Sequence, residues 1–296
     1  FLTQPLPTPV AWYAAQLPAG FLKLATGATF VIELILPFLF FAPRRLRFFA
    51  AFGILLLESF IFITGNYNWF NLQTMLLCLA LFDDAALRSL LPRRVAELRL
   101  KPNTPRPAVR YVANAVAVLI VCCSLVQMTA RFGGTPPAWA QTVEGWVDPL
   151  HIVSGYGLFS IMTTTRHEIV IEGSHDGVNW SEYEFRYKPG DVMRAPLWNI
   201  PHQPRLDWQM WFAALDDPRR LRWFWAFLER LLENEPTVTA LLDKNPFADK
   251  RPLYVRAQFY DYTYAGGDES TKGQWWDRKL LGQYFPPVHL KVQPSQ

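Results

Sequence analysis

The chain is 296 residues long, 51% hydrophobic and 18% charged, where soluble domains carry about 25% charge. This excludes a disordered chain, and 24 Pro without a Gly-X-Y period exclude collagen. Residues 1–130 hold 11 Lys/Arg against 5 Asp/Glu and residues 131–296 hold 18 against 20, so no basic stripe exists and nucleic-acid binding is set aside.

Four apolar runs come first. Residues 21–42 contain only Lys23 and Glu33 as charges, residues 48–64 only Glu58, and residues 69–82 and 111–130 none. About 20 helical residues cross a hydrocarbon core of roughly 30 Å. The first and last runs meet that length and the second nearly does. The third is too short alone and reads as a re-entrant or buried segment, or as one starting near Asn66 with its Asn side chains facing protein. Four closely spaced runs favour a membrane domain over a soluble protein with buried helices.

Charge orients the spans. Ten of the 11 basic residues before position 131 lie in two loops: Arg44, Arg45 and Arg47, then Arg88, Arg93, Arg94, Arg99, Lys101, Arg106 and Arg110. The turn 65–68 has none. Under the positive-inside rule both loops are cytoplasmic. Residues 1–20 and everything after Ala130 are then extracytoplasmic, in a periplasm or an endoplasmic reticulum lumen. The chain starts at Phe1 with no visible signal peptide, which reads as an N-terminal truncation.

The second part reads as a soluble α+β domain over residues 131–296, following a membrane domain over 1–130. Residues 166–172 predict a strand, Ser174, His175, Asp176 and Gly177 a turn, and residues 180–187 a strand with Tyr183, Phe185 and Tyr187 on one face. Residues 221–232 predict an amphipathic helix and residues 236–243 a short one with Pro at its first turn. Residues 252–264 predict a strand with Tyr254, Gln258, Tyr260, Tyr262 and Tyr264 on one face. Ten of the 12 Trp lie in this domain. Core filling is their favoured reading, with an exposed apolar or carbohydrate-binding surface the sharper one.

Sites for chemistry are few. Cys78, Cys122 and Cys123 all lie in the first half, and the five His are scattered, so neither a disulfide framework nor zinc-site spacing is present. No nucleophile elbow, phosphate loop, dinucleotide fingerprint or zinc-protease motif occurs. No metal, cofactor or catalytic residue is expected. Glu33 and Glu58 are the candidate intramembrane functional residues, since a mid-bilayer charge costs about 2.5–3.5 kcal/mol on insertion scales and usually faces the bundle interior. The bland alternative is a Glu that only pins helix packing. Arg205, Asp207, Trp208 and Trp211 are candidate client-binding residues if residues from 206 onward are helical. The competing and favoured reading puts both Trp in the core.

The residues that carry a resemblance lie in both halves. Thr3-Gln4-Pro5-Leu6-Pro7-Thr8-Pro9, Glu33-Leu34-Ile35-Leu36-Pro37-Phe38 and Gly65-Asn66-Tyr67-Asn68-Trp69-Phe70-Asn71-Leu72 with Phe82-Asp83-Asp84 resemble segments of the lipase maturation factor family. So do Tyr156-Gly157-Leu158-Phe159, Tyr183-Glu184-Phe185, Lys188-Pro189-Gly190-Asp191, the stretch from Arg205 to Ala214, Asn245-Pro246-Phe247, and Trp275-Trp276 through Tyr284-Phe285-Pro286-Pro287. The resemblance implies a multi-pass protein that, in animals, sits in the endoplasmic reticulum membrane with a lumenal C-terminal domain and assists folding and assembly of secreted dimeric lipases. Animal members similar to this chain carry Cys where it has Tyr187 and Leu197, so thiol chemistry is in doubt here and a bacterial-type member is expected. The expected partners are membrane lipid and a secreted lipase or other exported client. The alternative is a membrane enzyme distantly similar to the membrane domain of vitamin K-dependent carboxylases, using the intramembrane carboxylates.

Overall fold

The computed structural model describes residues 1–67, 69–90, 92, 106–153, 163–266 and 273–290. Asn68, most of the second basic loop (Arg93, Arg94, Arg99 and Lys101) and the block at 156–159 lie outside the described residues. The chain divides into two compact units: Phe1–Leu87 together with Thr163–Gln296, and Arg88–Met162.

The first unit opens with α1 (Pro9–Ala15), started by Pro at its first turn, where no backbone N–H is needed. α2 (Ala19–Leu34) runs into a 3-10 turn (Leu36–Phe41), and α3 (Arg44–Thr64) follows. α4 (Trp69–Cys78) runs into a 3-10 turn (Leu79–Leu81), with α5 (Asp84–Leu90) after it. Two stretches here, Ala19–Phe41 and Arg44–Thr64, are long and apolar enough to cross a membrane. Trp69–Leu81 is apolar but shorter, so the third expected run, already short in the sequence, is not a membrane-length helix. It returns alongside α3 nonetheless. Asn71 of α4 donates to Glu58 of α3 at 2.7 Å. At the other end Arg47 donates to the Leu81 carbonyl at 2.8 Å, and Arg44 is ion-paired with Asp83.

The sheet of this unit has the order β2-β1-β5-β6, formed by β1 (Arg166–Ser174), β2 (Ser181–Glu182), β5 (Tyr254–Tyr264) and β6 (Trp276–Val288). All pairings are antiparallel. β3 (Glu184–Phe185) and β4 (Leu242–Lys244) form a separate pair. The expected strand over 180–187 is thus split between two sheets, with the buried Tyr183 at the break. The expected short helix is confined to α10 (Pro236–Thr239), and the end of that stretch becomes β4.

Side chains alternate across a strand. Ile169 and Ile171 of β1 and Val255 and Ala257 of β5 face one side. They pack against α8 (Arg205–Ala213) and α9 (Arg222–Leu232) through Met210, Phe224, Leu228 and Leu231. The opposite face presents Arg166 and Glu168 beside Tyr262 and Tyr260, their cross-strand partners. β6 is an edge strand, which is where Pro286 and Pro287 are tolerated, since Pro lacks a ladder donor.

The second unit holds α6 (Pro107–Arg131), the third membrane-length helix, and α7 (Ala138–Val147), which packs against it.

Candidate functional site

The polar face of the sheet meets the N-terminal segment, and this junction gathers several of the buried polar groups of the first unit, among them Gln4, Thr8, Asn66, Arg166, Glu168 and Lys188. Arg166 is fully buried. Its Nε donates to Glu168 Oε1 at 2.9 Å, which follows from the i,i+2 placement of both residues on one face of β1. The rest of the guanidinium fork reaches the N-terminal segment. Nη1 donates to the carbonyls of Leu2, at 2.8 Å, and Gln4, and Nη2 donates to that of Pro5 at 3.1 Å. A proline-rich stretch has few backbone donors of its own, so its carbonyls need an external donor, and Arg supplies several in a fixed geometry.

Lys188 completes the cluster. Its Nζ lies 3.1 Å from Glu168 Oε2, while its hydrogens are directed at the carbonyls of Ile169 and Pro189, at 3.1 and 3.0 Å. Glu168 therefore sits between two buried cations. Burial pushes the nearby phenol of Tyr264 well above the ordinary tyrosine range, which keeps it a neutral hydroxyl at physiological pH.

Further contacts join the membrane-length helices to the same junction. Thr8 Oγ1 donates to the Ile63 carbonyl at 2.6 Å, and Asn66 Nδ2 donates to Asn199 Oδ1 at 2.7 Å and to the His202 carbonyl at 2.6 Å. Gln16 donates to the Ala265 carbonyl at 3.2 Å, and the Trp12 and Trp275 rings meet edge-on at 5.0 Å. At Gly65 the backbone runs close to the Gln4 side chain: a Cβ there would fall 2.0 Å from Gln4 Oε1, so that side chain would have to move.

The residues singled out from the sequence separate into three groups. Glu58 is half-buried and held by Asn71, whereas Glu33 is exposed on α2. Within its unit α2 packs mainly on α3 and the 3-10 turn and fully buries none of its residues. Asp207, Trp208 and Trp211 are all buried on α8, and the two indole rings meet at 6.3 Å. Asp207 Oδ1 accepts the backbone N–H groups of Tyr187 and Lys188 at 2.8 and 2.9 Å, which ties α8 to the loop that carries Lys188. Arg205 is exposed. The block therefore packs as a scaffold with one outward charge.

Arg166, Glu168, Lys188 and Asn199 did not emerge from the sequence as site residues. One signal was legible: Arg and Glu two apart inside the β-branched run that predicts β1. The remaining partners of Arg166 are backbone carbonyls more than 160 positions away, and no local pattern encodes that. Among the described residues no group of three His, Cys, Asp or Glu side chains is placed to hold a metal ion.

Comparison with known proteins places both sides of this junction in one family. The lipase maturation factor transmembrane domain matches residues 1–89, and the lipase maturation factor C-terminal domain matches residues 152–286. Lipase maturation factor 2 of Homo sapiens is 33% identical over 97% of the chain, and the Rattus norvegicus protein is likewise 33% identical. Lipase maturation factor 1 of Homo sapiens is 34% identical over 98% of the chain. The chain spans about half the length of these relatives, 54% of the human ones. No solved structure matches. The matches lend no support to the carboxylase likeness, and that reading is dropped. The chain belongs to the lipase maturation factor family.

Proposed function

We propose that the chain is the membrane-anchored part of a maturation factor whose sheet domain lies on the extracytoplasmic side and assists folding of an exported lipase. The observation that carries this reading is the junction itself: Arg166 ties the sheet to the N-terminal segment, Thr8 ties that segment to α3, and Asn66 and Gln16 bond to the loops at Asn199, His202 and Ala265. A folding domain held in this way is presented at the membrane as one body rather than on a tether. The relatives' names supply the client class.

Orientation is supported by charge and by α4. Two basic loops separated by an uncharged turn favour the cytoplasm for both. The contacts of Arg44 and Arg47 with Asp83 and the Leu81 carbonyl bring the end of the short third segment back to the basic end of α3. In this reading residues 66–83 serve as a crossing although their helix is short, and the membrane domain ends near residue 130. On the client side, α8 turns Arg205 and Phe212 outward on one face at i,i+7, and these two replace the buried Trp pair as the contact residues of the block. Glu58 serves helix packing.

Two measurements test the reading. A reporter active only in the cytoplasm, fused after Gln296, is expected to be silent; strong activity would overturn the orientation. Co-production with a secreted lipase is expected to raise lipase activity per unit of lipase protein. Equal specific activity with and without the full chain, at equal chain abundance, would overturn the maturation role.

A further inference from the structure

α6 ends in a glycine cap. Gly133 has φ 80°, and the amides of Phe132 and Gly134 donate to the carbonyls of Met128 and Thr129 at 3.1 and 2.9 Å. Gly takes this left-handed conformation without the penalty a Cβ would bring. The chain turns at once, and α7 packs against α6, with Ala140 and Val147 as its buried residues.

The neighbouring face of α7 is occupied differently. Trp139 and Trp146 are 70% and 74% exposed. At seven residues apart they lie within about 20° of one another around the helix axis. Val143 lies between them, and Gln141 and Glu144 point to the far side. Phe132, at the end of α6, is 82% exposed as well. Large aromatic rings left outward on a helix that has a buried face beside them need an apolar neighbour.

We propose that α7 is an interfacial helix, seated in the headgroup layer of the bilayer that α6 crosses, with Trp139 and Trp146 as its anchors. The continuity with α6 argues for lipid as the occupant. The 25 residues of α6 extend about 37 Å, roughly 7 Å more than the hydrocarbon core. Its capped end therefore reaches the headgroup level, and α7, packed on it, lies at the same level. Trp is the side chain enriched at that depth, because its ring is apolar and its N–H seeks water. Glu144 is the sole charged residue of α7, so the attachment is aromatic and needs no anionic lipid.

The inference rests on α6 crossing the bilayer, which Cys122, exposed on that helix, reports separately. The test uses the full chain in phosphatidylcholine vesicles carrying bromine near the headgroup, at mid-chain or near the chain end. The difference in fluorescence between wild type and the Trp139→Phe/Trp146→Phe variant isolates the two rings. The expected result is a loss of the difference emission that is greatest with shallow bromine, smallest with deep bromine, and unchanged when anionic lipid is added. Equal emission at every bromine depth would overturn the proposal, whether the rings face water or another protein surface. A membrane-impermeant maleimide is expected to leave Cys122 unlabelled in intact vesicles; labelling there would show instead that α6 is not a span, and the proposal would fall with it.

Discussion

Asp207 is buried, and burial disfavours its charge and pushes its carboxyl above the ordinary range, opposed by the hydrogen bonds from the amides of Lys188 and Tyr187. Removing the side chain orphans two buried donors. Asp207→Ala is expected to destabilise by roughly 2–4 kcal/mol, while Asp207→Asn, which keeps an acceptor at Oδ1, costs about 1 kcal/mol; thermal unfolding of the purified protein measures both. Trp208→Ala is expected to cost roughly 3–5 kcal/mol and deplete the folded protein, because the ring is packed inside the unit rather than offered to a partner. Asp176 is the converse of Asp207. Its exposed carboxylate accepts the amides of Asn179 and Val178, the Asn179 side chain and the Ser174 hydroxyl, and these hold its carboxyl well below the usual carboxylate range. The turn is therefore fully supported above the unfolded value of about 3.9 and loses support as pH falls through it toward the folded value. Hydrogen exchange of the Val178 and Asn179 amides, corrected for intrinsic rates, is expected to lose protection in that window and not above it.

At the scale of elements, local pattern found what local packing determines. β5 and α9 form where alternation or three- and four-residue spacing places apolar residues, and β1 where β-branched residues cluster. Leu228, 1% exposed on α9, is expected to cost about 2–5 kcal/mol on truncation to Ala. The stretch 180–187 misled because its aromatic alternation is genuine while its backbone changes sheets at Tyr183, and the sheets are assembled from distant strands. β6 did not stand out as a strand because charges, Gly282 and two prolines dilute its pattern, all of which an irregular edge strand accepts. In the membrane segment, α4 is too short to be read as a span, and what places it is the Asn71–Glu58 hydrogen bond. Glu58→Gln retains an acceptor and is expected to leave α4 in place. Glu58→Leu loses a contact of about 1 kcal/mol. A disulfide cross-link between introduced Cys pairs on α3 and α4 is expected to form less completely in the Leu variant than in the Gln variant.

At the scale of the whole molecule, stability and function meet at Arg166. Its removal would leave Glu168 in the interior with Lys188 alone, and breaking a buried pair in this way costs about 3–5 kcal/mol. Arg166→Met is expected to lose that amount and to release the segment Leu2–Pro5, detected as faster proteolysis near the N-terminus. Arg166→Met/Glu168→Leu is expected to be no more stable than Arg166→Met, since it leaves the buried Lys188 without its carboxylate, and to leave the N-terminal segment unprotected, because its carbonyls still lack their donor. A double variant with full protection would mean that the segment is held by its apolar contacts alone.

The apolar runs, their lengths and the placement of basic residues are properties of the chain in order, and they suffice for a membrane domain followed by a mixed domain. So does the ordered series of family-like blocks. Hydrophobic length and periodicity act over one to six turns of chain, which is why they can be read without a fold. The junction is of another kind. Gln4 meets Gly65, Arg166 meets Leu2 and Pro5, and Asn66 meets Asn199 and His202. Each of these residues is an ordinary polar side chain in its own stretch. They become a site only when the sheet folds its polar face onto the N-terminal segment, because a hydrogen bond records a position in space and not a spacing along the chain.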